Sequence, residues 1–386
     1  EEAVLPETEN TEETRTGRES GDVQVRRIRY ATDEEELWKA LKEVEKHWSN
    51  YALVEDDEDL ILDYEADSAM ASPAPATGGA VYEAGSNTDT ALPEYSDTNV
   101  RTEGVDEADI VKTDGKYLYI LHEGTQLLIV QADKADTRLL SRTEVYQGMD
   151  FWWNAGAREL FAVDGKVYVI TVEENDLHPE GELYSTYGIS SRKTCLKIYD
   201  VSDPENPLLE KTLVAEGEYS QARRKDGFLY LFTSWQPQLG ERWQESLLLP
   251  IAGESTVPVR KVILPDIMTS TNCLVMTALS LENDSQWSDT AMMVSGADQL
   301  YISADNIYAV NENDWSSSDQ SEITKIHYER GAFTGVGAGT VHGQIDDSFS
   351  LDEYQGNLRV LTSYWGTLKK SLFEIISGLL DLDYYS

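Results

Sequence analysis

Apolar side chains follow two different periods along the chain, and the change from one to the other falls near residue 95. Ahead of it, Leu37, Trp38, Leu41, Val44 and Trp48 recur at helical spacing behind Thr32-Asp33. That pair can cap a helix from Glu34 to His47, with Glu34, Glu35 and Glu36 at the positive end of its dipole. The stripe requires a surface to bury against. Beyond residue 106 the pattern is that of strands, short runs rich in Tyr, Val, Ile and Leu broken by turn pairs. Asp114-Gly115 precedes K-Y-L-Y-I-L, Asp164-Gly165 precedes K-V-Y-V-I-T, and Asp226-Gly227 precedes F-L-Y-L-F-T. Asp305-Asn306 and Gln355-Gly356-Asn357 stand in the same relation to I-Y-A-V and L-R-V-L-T. Tight hairpins need positive φ, which glycine adopts without steric cost.

Each hairpin is followed by a variable loop and two further strand-like runs, clearest at Thr194–Val201 and Leu208–Val214. Four strands per unit, recurring every roughly fifty to eighty residues, predict the blades of a β-propeller. A stack of sandwich domains needs about seven strands and about a hundred residues each, more than the shortest interval holds. The blades begin near Ala108, Arg158, Glu218, Gln299 and Ser348, and the fifth has reached its second strand at Leu358–Ser363. The fold class is therefore all-β, an incomplete propeller of about four and a half four-stranded blades. Long insertions at Glu173–Lys193 and Trp235–Asn272 follow the second strand of a unit and are expected to project from one face, where binding usually resides. Cys195 and Cys273 open the third strands of adjacent blades. Equivalent points on neighbouring blades lie beyond the roughly 7 Å Cα limit of a disulfide, so two free thiols are expected.

Composition then divides the chain. Residues 1–22 are rich in Glu and Thr and read as a disordered acidic tail, 23–65 as a small strand and helix element, and 66–94 as a flexible Ala/Ser/Pro/Gly linker. Residues 95–366 form the propeller, and 367–386 return to a helical period. A formal charge of -40 excludes nucleic acid and anionic membrane surfaces as partners and leaves cations, neutral glycans and basic proteins. Two cysteines without a Cys/His cluster exclude a structural zinc site.

The strand words carry a family resemblance. Y-S-D-T-N-V-R-T-E-G-V-D-E-A-D-I-V-K-T-D-G-K-Y-L-Y at Tyr95–Tyr119 resembles the opening signature of exported bacterial and archaeal proteins with a C-terminal β-propeller domain. I-Y-D-V-S-D-P-E-N-P, G-E-Y-S-Q-A-R-R-K-D-G-F-L-Y-L-F-T, Q-L-Y-I-S-A-D-N-I-Y and F-S-L-D-E-Y-Q-G-N-L-R-V-L-T follow in family order, and T-D-E-E-E-L-W-K-A-L resembles the helix such proteins carry before the linker. The resemblance implies an extracellular or cell-surface protein, anchored through a segment ahead of Glu1; the charge and the loop aromatics lead to the expectation of a protein or carbohydrate partner there. It implies no particular reaction.

Candidate chemistry is sparse. The histidines are scattered, and no catalytic or nucleotide-binding motif stands in a convincing context, so no catalytic residue is assigned and enzyme activity is the weaker expectation. Asp106, Glu107 and Asp109 form the densest carboxylate word of the repeat region. They are metal candidates, with calcium as the possible cofactor, or else strand caps bonded to a neighbouring blade. Trp152, Trp153, Trp235, Trp243, Trp287 and Trp315 lie in or beside expected loops, where rings can grip sugars or partner side chains, or else fill seams between blades. The expected function is a binding module, with a secreted hydrolase or metal-dependent enzyme as the alternative. Limited proteolysis is expected to cut first within Ala66–Pro93; protection there while propeller loops are clipped would contradict the linker assignment.

Overall fold

The structure, a computed structural model, describes residues 26, 28–52, 101–102, 104–148, 155–178, 192–312 and 320–363. The expectations for residues 1–22, 66–94 and 367–386 lie outside this set. Ahead of the repeats come β1 (Arg29–Tyr30), α1 (Glu34–Ala52) and β2 (Asp106–Glu107). Blade I is β3 (Val111–Thr113), β4 (Tyr117–His122), β5 (Gln126–Gln131) and β6 (Arg138–Glu144), a four-stranded antiparallel meander. Blade II repeats it with β7 (Gly156–Val163), β8 (Lys166–Glu174), β9 (Arg192–Asp200) and β10 (Leu208–Glu216).

Blade III starts with β11 (Glu218–Lys225) and β12 (Phe228–Trp235) and then inserts β13 (Ile251–Ala252), β14 (Ser255–Thr256) and β15 (Val262–Leu264). It is completed by β16 (Cys273–Ser280) and β17 (Asp289–Val294). Blade IV is β18 (Gln299–Ile302), β19 (Asn306–Glu312), β20 (Gln320–Glu329) and β21 (Ala332–His342), and the hairpin β22 (Leu351–Tyr354) with β23 (Asn357–Val360) stands fifth.

Burial explains why the second strands read as continuous apolar runs. In β8, Val167 and Val169 point into the seam with blade I, against Tyr119, Leu127 and Ile129, while Tyr168 and Ile170 point the other way, toward Leu229 and Leu231 of blade III. Successive strand residues face opposite sides, so a strand packed on both faces has no polar side to alternate with. Met276 and Met293 of blade III likewise meet Ile307 and Ile326 of blade IV, and Tyr308 and Val310 of blade IV meet Leu351 of the fifth hairpin. Among the described residues no apolar cluster joins the fifth hairpin to blade I.

The turn pairs differ among themselves. Asp164-Gly165 and Asp226-Gly227 take positive φ at both positions (48° and 76°, 49° and 77°), and the ladder closes directly around them at Val163–Lys166 and Lys225–Phe228. Asp114-Gly115 forms a wider loop that closes at Thr113–Leu118. There the Asp114 carboxylate accepts the N–H groups of Lys116 and Tyr117 at 2.9 and 2.7 Å, so a side chain does what the second positive φ does elsewhere.

The helix is docked on the blades. Leu37, Ala40 and Leu41 are buried with Trp235, Leu248, Leu249, Val257 and Val262, most of them from the long insertion of blade III. Asp33 caps the helix by accepting the Glu36 N–H at 2.9 Å, and Glu36 reaches back to the Thr32 N–H. The insertion, expected to project from a face, instead folds along the outer edges: β13 pairs with β10 of blade II, and β15 pairs in parallel with β17 of blade III. Its apolar residues have the helix and two blades to bury against, which a projecting loop would lack.

A short N-terminal strand joins two blades at their rims. Arg29 and Tyr30 pair with Leu264 and Ile263, while Arg26 exchanges two backbone hydrogen bonds with Ala338 of blade IV. Gly335 admits this crossing, because a Cβ there would stand 2.0 Å from Ile28 Cδ1. Both cysteines are free and buried, as the repeat geometry required, and burial pushes the Cys195 thiol up to about 12.

Glu322 on β20 is 3% exposed, and neither carboxylate oxygen has a hydrogen-bond partner among the described residues. Burial raises its pKa from 4.5 to about 7, opposed by the charge of Arg26 and by the nearby Ile267 backbone and reinforced by Asp266. Its folded pKa lies above its unfolded one, so the native state holds the extra proton and stability falls as pH rises from about 4.5 to 7. Glu322→Gln is expected to remove that fall and to stabilise the protein by about 2 kcal/mol at pH 8. Chemical denaturation at pH 5 and pH 8 checks this, and an equal effect at both pH values would contradict it.

Candidate binding site in the central channel

The segment Arg101–Val111 runs along the inner edges of the blades in reverse order before it starts blade I. Arg101 donates to the Ser348 hydroxyl at 3.0 Å and to the Ser348 and Leu351 carbonyls at 2.5 and 2.7 Å, at the fifth hairpin. Its guanidinium lies between the rings of Tyr301 and Phe349, 4.6 and 4.7 Å from their centroids. Thr102 reaches the Ile302 carbonyl of blade IV at 3.5 Å. Thr102 and Val105 then close a turn around Gly104, whose φ is +80°. β2 pairs with β11 of blade III, Glu107 opposite Arg223 and Asp106 opposite Arg224. Asp109 exchanges backbone hydrogen bonds with Leu160 of blade II at 3.3 and 2.8 Å.

This strap fixes the three carboxylates proposed from sequence for calcium, and two of them stand in ion pairs. Asp106 bonds Lys112 at 2.9 Å and Arg224 at 3.0 Å, and Glu107 pairs with Arg223 at 3.2 Å. Asp109 accepts the Ile110 N–H at 2.7 Å. Two of the three carboxylates already face the protein's own cations, and among the described residues no group of three His, Cys, Asp or Glu is placed to hold a metal.

The tryptophans are distributed differently from the sequence expectation. Trp235 is fully buried at the end of β12, so it is core and offers no exposed stacking face. Trp243 is partly buried beside the helix, and Trp287 is 8% exposed with its indole N–H on the Val214 carbonyl at 2.9 Å. Aromatics of this size gain most by filling seams, which explains both placements. Trp152, Trp153 and Trp315 lie outside the described residues.

Strap and blades together border an open cavity of about 590 Å³ at the first strands of the blades. Its walls are Glu107 and Ala108 of the strap, Glu159 of β7, Ser220, Gln221 and Arg223 of β11, and Leu300–Ile302 of strand β18. Arg101, Ser348 and Phe349 close the far side. The first strand of each blade is thus its inner edge, and consecutive blades deliver side chains to one space. Gln221 is held by a 3.3 Å bond from its amide to the Leu300 carbonyl and accepts from Arg223 at 3.0 Å. Burial raises the pKa of Glu159, opposed by a hydrogen bond from Tyr219 and by Arg223, while Asp109 and Glu107 add to the rise. Burial also holds the Tyr219 hydroxyl well above its ordinary range. Among the described residues no histidine lines the cavity. None of these residues except Glu107 was singled out by sequence, although Arg101 and Ser220-Gln221-Ala222-Arg223 sit inside the recognised words.

The sequence model of the Beta propeller domain matches residues 95–377. The chain belongs to that family. The match begins just ahead of the strap, so in this β-propeller the family word and the segment that crosses the blades coincide. No curated protein matches the chain closely enough to count as a relative. The propeller thus supplies an interaction scaffold in general terms, and its channel cavity is where this chain places convergent polar groups.

Asp106→Ala is expected to destabilise the propeller by about 2 kcal/mol, because Lys112, with a side chain only 6% exposed, and Arg224 both lose their bond to this carboxylate. Thermal melts with and without millimolar calcium check both halves: calcium should shift neither protein, and a rise for the parent chain alone would restore the metal assignment.

Proposed function

We propose that the protein is an exported, cell-envelope-associated binding module that takes the end of a glycan into its central channel. The observation that carries this reading is the cavity itself. Its volume of about 590 Å³ falls within the range of small-molecule sites and holds one or two sugar rings. Its walls supply what a polyol needs: a serine hydroxyl, an amide, two carboxyl groups, two guanidinium groups and the ring of Phe349, which is 79% exposed. Export is supported by the charge of -40, which keeps the chain soluble and away from nucleic acid, and by the resemblance of its opening word. No helix among the described residues is long and apolar enough to cross a membrane.

A hydrolase is the second reading, and one observation favours it: Glu107 and Glu159 line the same cavity, and the pKa of Glu159 is raised. Glu107 is held in an ion pair, which leaves Glu159 as the group available to give a proton.

A glycan array probed with the full chain, followed by calorimetric titration of the hits, tests the proposal. Ser220→Tyr, which fills the cavity from an exposed position, should weaken binding at least about ten-fold if the free energy of several polar contacts is lost. Binding unchanged by Ser220→Tyr, or no hit at all, would overturn the channel as the site. Product analysis of the bound glycans separates the two readings: turnover that disappears in Glu159→Gln while binding persists would make the protein an enzyme.

A further inference from the structure

We infer that the channel ligand is an acidic sugar, a hydroxyl-bearing ring with one carboxylate, and that Arg101 is the residue that recognises its charge. This deepens the glycan reading and rests on it. Around the cavity the other charges are compensated locally. Arg223 faces Glu107 at 3.2 Å, and outside the wall Arg224 and Lys112 share Asp106. Glu159 accepts a hydrogen bond from Tyr219 and lies within the field of Arg223. Arg101 differs. Its partners are the Ser348 hydroxyl and two carbonyls, all neutral, and no carboxylate pairs with it among the described residues.

In a chain with 71 acidic and 31 basic residues, a cation without an acidic partner at the wall of a cavity is a specific arrangement. It is also a rigid one. Three hydrogen bonds and two flanking aromatic rings fix the guanidinium before any ligand arrives, so little side-chain entropy remains to be lost on binding. A guanidinium carries five N–H groups, and three bonds leave two of them for an anionic oxygen.

The opposite wall selects for hydroxyls. Glu159, Gln221 and Ser220 come from the inner strands of blades II and III and offer acceptors and donors but no unpaired positive charge. A simple anion such as acetate would meet only Arg101 and would face the net negative field of the whole protein without compensation. A ring that carries both a carboxylate and hydroxyls satisfies both walls at once.

Calorimetric titration of the full chain with the methyl glycosides of glucuronic, galacturonic and mannuronic acids tests this, each compared with its uronamide, its neutral parent sugar and its 6-sulfate. At least one acid should bind ten-fold or more tightly than its own amide, and Arg101→Gln should bring that ratio close to one. Arg101→Lys should restore part of the preference. Equal binding of acid and amide by the parent chain would overturn the inference without any variant, so it stays decidable even if Arg101→Gln fails to fold. Preference for the sulfate would overturn the carboxylate. Binding of neutral sugars alone would defeat the inference and leave the glycan reading standing, whereas no binding by any of these sugars would defeat both.

Discussion

Backbone pairing at the inner edges of the blades is the constraint on which the rest of the structure depends. A four-stranded blade presents an unpaired row of N–H and C=O groups along its first strand, and buried groups of that kind must find partners. Here the strap from Arg101 to Val111 supplies them at blades II and III through Asp109 and β2, and reaches blade IV and the fifth hairpin through the side chains of Thr102 and Arg101. One extended segment therefore touches five consecutive units and fixes where their inner strands stand. The strap turns at Gly104, between its contacts with Ile302 and with Arg224, and the cavity lies beside it.

That geometry also explains how the acidity of the chain is managed near the axis. Lys112, Arg223 and Arg224 pair with the strap's own carboxylates, which lets a partly buried acidic segment lie against the inner strands of the blades at a tolerable desolvation cost. The arrangement makes the strap a structural tie between blades. Charge that looked like a metal site in one dimension is neutralised by residues more than a hundred positions away, such as Arg224, and local spacing carries no sign of them.

Much of the fold was legible because propeller strands are written in local terms. The turn at Asp164-Gly165, the doubly apolar run of β8 and the spacing of Cys195 and Cys273 each fixed an element from a few residues, and the repeat fixed its neighbours. The destination of the long insertion was not legible. Leu248, Val257 and Val262 look like any apolar loop residues until helix α1 is seen to cover them, and the helix in turn shows only a stripe in need of a partner. The cavity was missed for a similar reason. Glu159, Gln221 and Arg223 alternate on inner strands as ordinary solvent-side residues would, and only the convergence of blades brings them together. Trp235 misled in the opposite sense, since a large ring at a strand end is equally consistent with an exposed platform and a filled seam until burial is known.

The short N-terminal strand has a consequence for the order in which the molecule can be made. Tyr30 accepts a hydrogen bond from the Gly335 N–H, 305 positions later, and its backbone neighbour Arg26 pairs with Ala338. During synthesis, at about 5–20 residues per second, those partners emerge well over ten seconds after the strand has left the ribosome. Until then Ile28, Tyr30 and the apolar face of helix α1 lack the surfaces they finally cover, and loop closure of that length carries its own entropic cost. This segment thus leaves the ribosome long before the blade IV residues it pairs with, and it acts as a late clasp on blades that have already assembled.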